Sequence, residues 1–243
     1  MEKKRLDQLL VEKNLAESRG KAQLLIMAGS VTVNAETVCK PSKKVDTVAD
    51  IALKEKLKYV SRGGLKLDGA VSKFNLSIEN KVCLDIGSST GGFTDCLLKN
   101  KARKVYCTDV GKGLLHWDLR NNKNVVILES INFRYFEPAL IKDKIDLITI
   151  DVSFISLDKI LPKIKELPFK SLEVAALIKP QFEAGRSNVK KGVVKDEAVQ
   201  NATIERIKQV AVSLGFEFLD TTLSPIEGPK GNKEYFIHLK LVR

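Results

Sequence analysis

Lys81-Val-Cys-Leu-Asp-Ile-Gly-Ser-Ser-Thr-Gly-Gly-Phe-Thr-Asp95 is the stretch whose reading decides the fold. The apolar run Val82–Ile86 reads as a buried strand, a Gly/Ser turn follows, and a helix over Gly92–Lys99 opens straight from that turn. Such a unit lets backbone approach a ligand closely and points unpaired helix N–H groups at it. Twenty-two residues beyond Gly87, the next apolar run ends in Asp109, an acid placed to accept hydrogen bonds from both hydroxyls of a ribose.

Three chemistries use a turn of this kind. A dinucleotide site wants G-x-G-x-x-G, but Ser89 stands where the middle glycine would let a pyrophosphate lie against the backbone. Gly87-Ser-Ser-Thr-Gly91 matches the G-x-S-x-G nucleophile elbow, yet that hydrolase needs a late histidine on a loop. The chain has only His116 and His238, and His238 falls inside an alternating strand pattern. The third chemistry is binding of S-adenosylmethionine, which has no diphosphate to cradle and which Asp85 and Asp109 both suit.

Outward from the turn, strands and helices alternate. Strands are expected at Val82–Ile86, Lys104–Thr108, Val125–Leu128, Ile145–Asp151, Val174–Ile178, Phe216–Leu223 and Tyr235–Val242, with helices at Gly92–Lys99, Leu157–Glu166 and Asp196–Leu214. This order predicts a doubly wound α/β domain, seven-stranded and mostly parallel, with the last strand antiparallel. In that last strand Phe236, His238 and Lys240 alternate with Ile237, Leu239 and Leu241, the pattern of a strand in the edge region. Residues 1–58 read as a separate small α+β module: Leu6, Leu9 and Leu10 form one helical stripe, and Ser18 caps a second helix. Ala22, Leu25 and Ile26 of that helix face inward and Gly29 stops it. Val31–Asn34 then alternates into a turn at Asn34-Ala35, and Val45, Val48, Ile51 and Leu53 mark a returning segment. Lys54–Lys58 is the expected linker, and the second domain occupies 59–243.

Open α/β sheets present their ligands at the carboxyl ends of the strands. Asp151 ends one strand, Lys179 ends the next where Pro180 stops it, and Glu234 begins the last at the same edge. Lys66, in Tyr59-Val-Ser-Arg-Gly-Gly-Leu-Lys-Leu67, precedes the first strand and can fold over it. Two cations and two anions are thereby expected around one rim.

These segments carry a resemblance. Val60-Ser-Arg-Gly-Gly-Leu-Lys66, Leu84–Asp95, Asp151-Val-Ser-Phe-Ile-Ser156, Leu177-Ile-Lys-Pro-Gln-Phe-Glu183 and Gly231-Asn-Lys-Glu234 make residues 59–243 resemble the FtsJ-like ribose 2′-O-methyltransferases. The whole chain is similar to the TlyA family of rRNA methyltransferases, also labelled hemolysin A. The resemblance implies a Lys–Asp–Lys–Glu tetrad of Lys66, Asp151, Lys179 and Glu234, with Lys179 as general base. It also implies S-adenosylmethionine on the Gly87–Phe93 turn and Asp109. The full cofactor set expected is Asp85, Gly87, Ser88, Ser89, Thr90, Gly91, Gly92, Phe93, Asp109 and Asn132, with no metal. Residues 1–58 resemble the S4-like alpha-L RNA-binding domain through Arg5-Leu-Asp7, Ser18-Arg19, Ala22, Gly29–Asn34 and Lys40-Pro-Ser42.

Transfer of a methyl group from a sulfonium is an in-line displacement that depends on alignment, and a ribose hydroxyl profits from a general base. In this reading Asp151 and Glu234 orient the lysines while Lys66 holds ribose or phosphate. Enzymes that methylate exocyclic base amines resemble one another in an Asn/Asp-Pro-Pro-aromatic segment, and here Asp151-Val-Ser-Phe154 lacks both prolines. Cytosine C5 methylation needs a cysteine nucleophile, and Cys39, Cys83, Cys96 and Cys107 all lie before residue 108.

The partner is legible in charge. The chain has 243 residues with 41 Lys+Arg against 30 Asp+Glu, a net +11 that points to a polyanion. Residues 1–60 hold twelve basic and eight acidic side chains, so the excess is denser there. Lys3, Lys4, Arg5, Arg19 and Lys21 are expected to form one basic face for phosphates, with Lys40, Lys43 and Lys44 nearby. Arg62 joins the RNA-binding set, as do Arg186, Lys190 and Lys191 in a Gly-containing loop over Glu183–Lys195 that is expected to close on RNA. The expected partner is ribosomal RNA or a ribosomal subunit, not DNA. The resemblance implies a cytidine target, and the short ends look like the compact form associated with the large subunit. No run approaches the roughly eighteen apolar residues of a membrane helix and no signal h-region opens the chain, so a cytoplasmic protein is expected. Two other classes compete: a non-catalytic RNA-binding or ribosome-assembly factor, and a membrane-active hemolysin.

Overall fold

Leu6, Leu9 and Leu10 are buried along one face of a helix, as their spacing requires. The computed structural model describes residues 2–27, 29–53 and 58–242 and divides into two units, Met1–Leu57 and Lys58–Arg243. The first unit runs β1 (Lys3–Arg5), α1 (Leu6–Glu12), α2 (Arg19–Met27), β2 (Val31–Val33), β3 (Glu36–Thr37), β4 (Lys44–Asp46) and β5 (Ile51–Leu53). Its strands pair in the order β3-β2-β5, with β1 against β4. Ser18 Oγ accepts from the Lys21 N–H at 3.2 Å and so caps α2. Asn34 and Ala35 both adopt left-handed backbone and close the β2–β3 hairpin. Ala22 and Ile26 face the core while Leu25 is only partly buried against it. Val48 departs from expectation: it sits in the turn between β4 and β5 and is 76% exposed. Of the expected linker Lys54–Lys58, residues 54–57 lie outside the described residues.

The second unit contains α3 (Gly63–Phe74), β6 (Val82–Ile86), α4 (Gly92–Lys99), β7 (Lys104–Asp109), α5 (Trp117–Arg120), β8 (Val125–Glu129), β9 (Leu147–Ile150), α6 (Leu161–Lys165), β10 (Ser171–Ile178), α7 (Pro180–Glu183), α8 (Glu197–Ser213), β11 (Phe216–Leu223) and β12 (Tyr235–Val242). Seven strands form one sheet in the order β11-β12-β10-β9-β6-β7-β8. All neighbours are parallel except around β12, which runs antiparallel to both β10 and β11. Strand order reverses between β6 and β9, so the crevice for a ligand opens at their carboxyl ends.

Three expectations need correction. The helix expected over Leu157–Glu166 is split into a 3-10 turn, Leu157–Lys159, and α6, because Pro162 is accommodated only in a first helical turn. The last strand is not at the edge: β11 holds that position, and β12 lies one strand in. Its polar-looking face is covered, with Phe74 of α3 stacked on His238 at 5.1 Å and Phe93 of α4 on Phe236 at 5.9 Å. The covering helix α3 was itself not expected from the sequence.

Candidate functional site

The turn after β6 is shaped by close approach. Gly87 has φ +82°, and a Cβ there would lie 2.6 Å from the carbonyl oxygen of Asp151. A Cβ on Gly92 would lie 2.3 Å from Ser61 Oγ and 2.7 Å from the Gly64 nitrogen, so the starts of α3 and α4 meet only because both are bare backbone. Ser89, in place of the middle glycine, takes a left-handed backbone (φ +48°) and its N–H donates to Asp109 Oδ2 at 2.8 Å. The Gly111 N–H donates to the other oxygen at 2.7 Å. Two backbone donors fix the Asp109 carboxylate and leave lone pairs free, since a carboxylate offers about four acceptor positions.

Asp85 is not brought to the surface of this turn. It is fully buried beneath it, accepting from Thr94 Oγ1 at 2.7 Å and Thr149 Oγ1 at 3.1 Å. Burial pushes its carboxyl up to about 7, against the two threonine hydroxyls that favour the charged form. Its place is structural, under the loop.

Two cavities flank the turn. One, of about 270 Å³, has Asp109 and Asn132 set among Val110, Leu114, Ile131, Phe133 and Ile160. The other, of about 420 Å³, is lined by Ser61, Arg62, Lys66, Ser88, Thr90, Gly92, Phe93, Lys179 and the Glu227–Pro229 turn. Gly87, Ser89, Asp151 and Ser153 belong to both and form their common wall. Of the expected cofactor residues, Asp85 and Gly91 touch neither cavity; a Cβ on Gly91 would meet the Leu119 side chain instead.

The four ionisable residues form two ion pairs. Lys66, from α3, places Nζ 2.5 Å from Glu234 Oε2, and Lys179, at the end of β10, places Nζ 2.5 Å from Asp151 Oδ1. Lys66, Lys179 and Asp151 reach the larger cavity, whereas Glu234 is wholly buried behind it. Gly228 presses on the Glu234 carboxylate so tightly that any side chain there would collide with it. The sequence reading missed Ser153, whose Oγ accepts from Lys179 Nζ at 3.0 Å, and Gln181, whose Nε2 donates to Glu234 Oε1 at 3.1 Å. Both lie inside quoted motifs, but nothing in their spacing marks them as partners of the lysines.

In the first unit, Arg5 and Arg19 converge on the buried Asp7. Arg5 makes a bidentate pair at 2.9 and 2.8 Å, Arg19 Nη2 reaches Oδ2 at 3.2 Å, and Gln23 Nε2 reaches it at 2.9 Å. Hydrogen bonding by Arg5 above all, then by Gln23 and Arg19, outweighs burial and holds the Asp7 carboxyl well below the usual range. Lys4 is paired with Glu12 at 3.0 Å, while Lys3, Lys21 and Lys40 are exposed. In the second unit, Arg62 borders the larger cavity and donates to the Glu227 carbonyl. Arg186, Lys190 and Lys191 are exposed on their loop. The loop is anchored at Asn232, which donates to the Gly192 carbonyl and accepts from the Val194 N–H.

The family description "FtsJ-like methyltransferase" matches residues 59–241, and "S4 domain" matches 4–51. Hemolysin A of Brachyspira hyodysenteriae is 45% identical over 96% of this chain and 98% of its own. The 16S/23S rRNA (cytidine-2′-O)-methyltransferase TlyA of Mycobacterium tuberculosis is 40% identical over 97% and 89%. The 23S rRNA (cytidine-2′-O)-methyltransferase TlyA of Campylobacter jejuni is 39% identical over 94% and 96%. Among the described residues, no helix is long and apolar enough to cross a membrane.

Proposed function

This chain belongs to the FtsJ-like methyltransferase family, and from that premise we propose that it methylates the 2′-hydroxyl of a cytidine ribose in ribosomal RNA. The observation that carries this reading is the pairing of Lys179 with Asp151 and of Lys66 with Glu234 beside a wall shared with the Asp109 cavity.

The residues fit S-adenosylmethionine. Asp109 stands among apolar side chains in a cavity suited to an adenosine, and Gly87 leaves the backbone bare where the two cavities meet. Asp109 and Asn132 would hold the nucleoside end, and Ser88, Ser89 and Thr90 the amino-acid end. When bound, that cofactor supplies a methyl group on a sulfonium, open to displacement by an oxygen nucleophile.

The chain's own contribution is alignment and proton handling. To act as base, Lys179 first gives up one ammonium proton to solvent; its neutral Nζ then takes the 2′-hydroxyl proton as the oxygen displaces the sulfonium, while Asp151 and Ser153 hold that nitrogen in place. Glu234, fixed by burial and by Gln181, holds Lys66 toward the ribose or its phosphate. Arg5 and Arg19, already oriented by Asp7, grip RNA phosphates from the S4 domain. The relatives support the cytidine assignment by their names, one named for 16S and 23S rRNA and one for 23S rRNA.

Lys179→Ala tests the reading. Labelled methyl transfer to rRNA should be lost while cofactor affinity stays near that of the parent protein. Substantial residual turnover removes Lys179 from the base role. Failure of the parent protein to label any rRNA ribose leaves a non-catalytic RNA-binding factor in its place.

A further inference from the structure

The single-turn helix α7 reaches one ion pair directly, through Gln181 on Glu234, and is tied through Glu183 to the segment that follows Asp151 of the other. Gln181 Nε2 donates to Glu234 Oε1, on the carboxylate whose other oxygen holds Lys66. Glu183 ends the same turn and is almost wholly enclosed, at 9% exposure. Its Oε1 accepts from the Leu157 N–H at 2.8 Å, and its Oε2 takes the Ser156 hydroxyl together with Arg206 Nη2 of α8 at 2.6 Å. Ser156 and Leu157 close the segment that begins at Asp151, and that segment grips Lys179 twice, by Asp151 and by Ser153.

A carboxylate in this position costs desolvation free energy that an apolar side chain would not, and burial does push the Glu183 carboxyl upward. What the carboxylate supplies is geometry, because donors from the Asp151 segment and from α8 converge on one group. We propose that Gln181 and Glu183 are positioning residues: α7 sets the spacing of the two lysines by fixing Glu234 on one side and the Asp151–Leu157 segment on the other. Lys179 immediately precedes this helix, so any shift of α7 moves the base and both braces together. The proposal rests on the methyl-transfer reading.

The test uses full-length Gln181→Met and Glu183→Gln, substitutions that keep side-chain length. Four quantities are measured: kcat for rRNA methylation, KM for rRNA, cofactor Kd and the thermal midpoint. Misplacing aligned groups by about 1 Å can cost on the order of 10²-fold in rate, so each variant should lose at least about tenfold in kcat with KM and Kd within about twofold. Unchanged kcat in both overturns the proposal, and so does a loss of kcat matched by equal losses of cofactor affinity and melting temperature. If Glu183→Gln fails to fold, Ser156→Ala cuts the same brace from its other end and decides by the same criteria. A parent protein that transfers no methyl sinks the underlying reading; an active parent matched by its variants sinks the brace alone.

Discussion

Asp85→Asn isolates the effect of a carboxyl group sealed beneath the ligand turn. In the folded protein burial raises this group to about 7, from 3.8 in the unfolded chain. The folded state therefore binds the proton more tightly, so the stability tied to Asp85 is complete below about pH 4 and is lost as pH rises toward 7. Three pH units at about 1.4 kcal/mol each give about 4 kcal/mol as the largest span, of which about 3 kcal/mol falls between pH 5 and 8. Asparagine fits the same site. Thr149 can donate to its oxygen, and Thr94, whose Oγ1 also lies 3.0 Å from Cys107 Sγ, can accept from its amide. Urea unfolding of parent and variant at pH 5 and pH 8 reads the difference, and the single tryptophan, Trp117, lies in the unit that carries Asp85. The parent should weaken relative to the variant as pH rises. Parallel pH dependence in the two proteins would refute the assignment, as would a large loss of cofactor affinity in the variant, because Asp85 lines neither cavity.

Two further outcomes are expected. Neutralising Arg5 and Arg19 together should weaken rRNA binding and lower its salt slope by about one unit for each phosphate left without its cation; an unchanged slope, measured by titration at several salt concentrations, removes this face from docking. Gly87→Ala must adopt left-handed backbone and place a methyl against the Asp151 carbonyl, so it should cost at least about 1–2 kcal/mol and impair cofactor binding. Calorimetry showing parent-like melting and affinity would contradict that account of the turn.

The strand Val82–Ile86, the turn after it and the helix Gly92–Lys99 are legible because a run apolar at every position but Asp85, turn glycines and a helical pattern agree with one another. Helix α3 is not, because Gly63, Gly64 and Gly69 lower its local helix propensity. Two of those glycines answer to something outside the helix: a Cβ on Gly64 would meet the Tyr59 ring at 2.2 Å, and one on Gly69 would meet Pro225 at 2.6 Å. Missing α3 also obscured β12, whose His238 face looks wet only until Phe74 is laid over it. In the site, the residue types at strand ends were readable, since Asp151, Lys179 and Glu234 sit where chains leave or join a sheet. How Lys66 pairs with Glu234, and the support from Ser153 and Gln181, were not, because those contacts depend on tertiary placement rather than on spacing.

Lys66 and Glu234 are separated by 168 positions, and the strand that follows Glu234 is hydrogen-bonded on both sides. During synthesis the amino-terminal regions emerge first, so Lys66 leaves the exit tunnel long before its counter-ion exists. A nascent or prematurely released chain can display basic residues to the very ribosome making it, yet it has neither the final β-ladder nor the anion that steadies Lys66. The Lys66–Glu234 contact therefore forms only after Glu234 has been synthesised, and a copy that stops short of it lacks that pair.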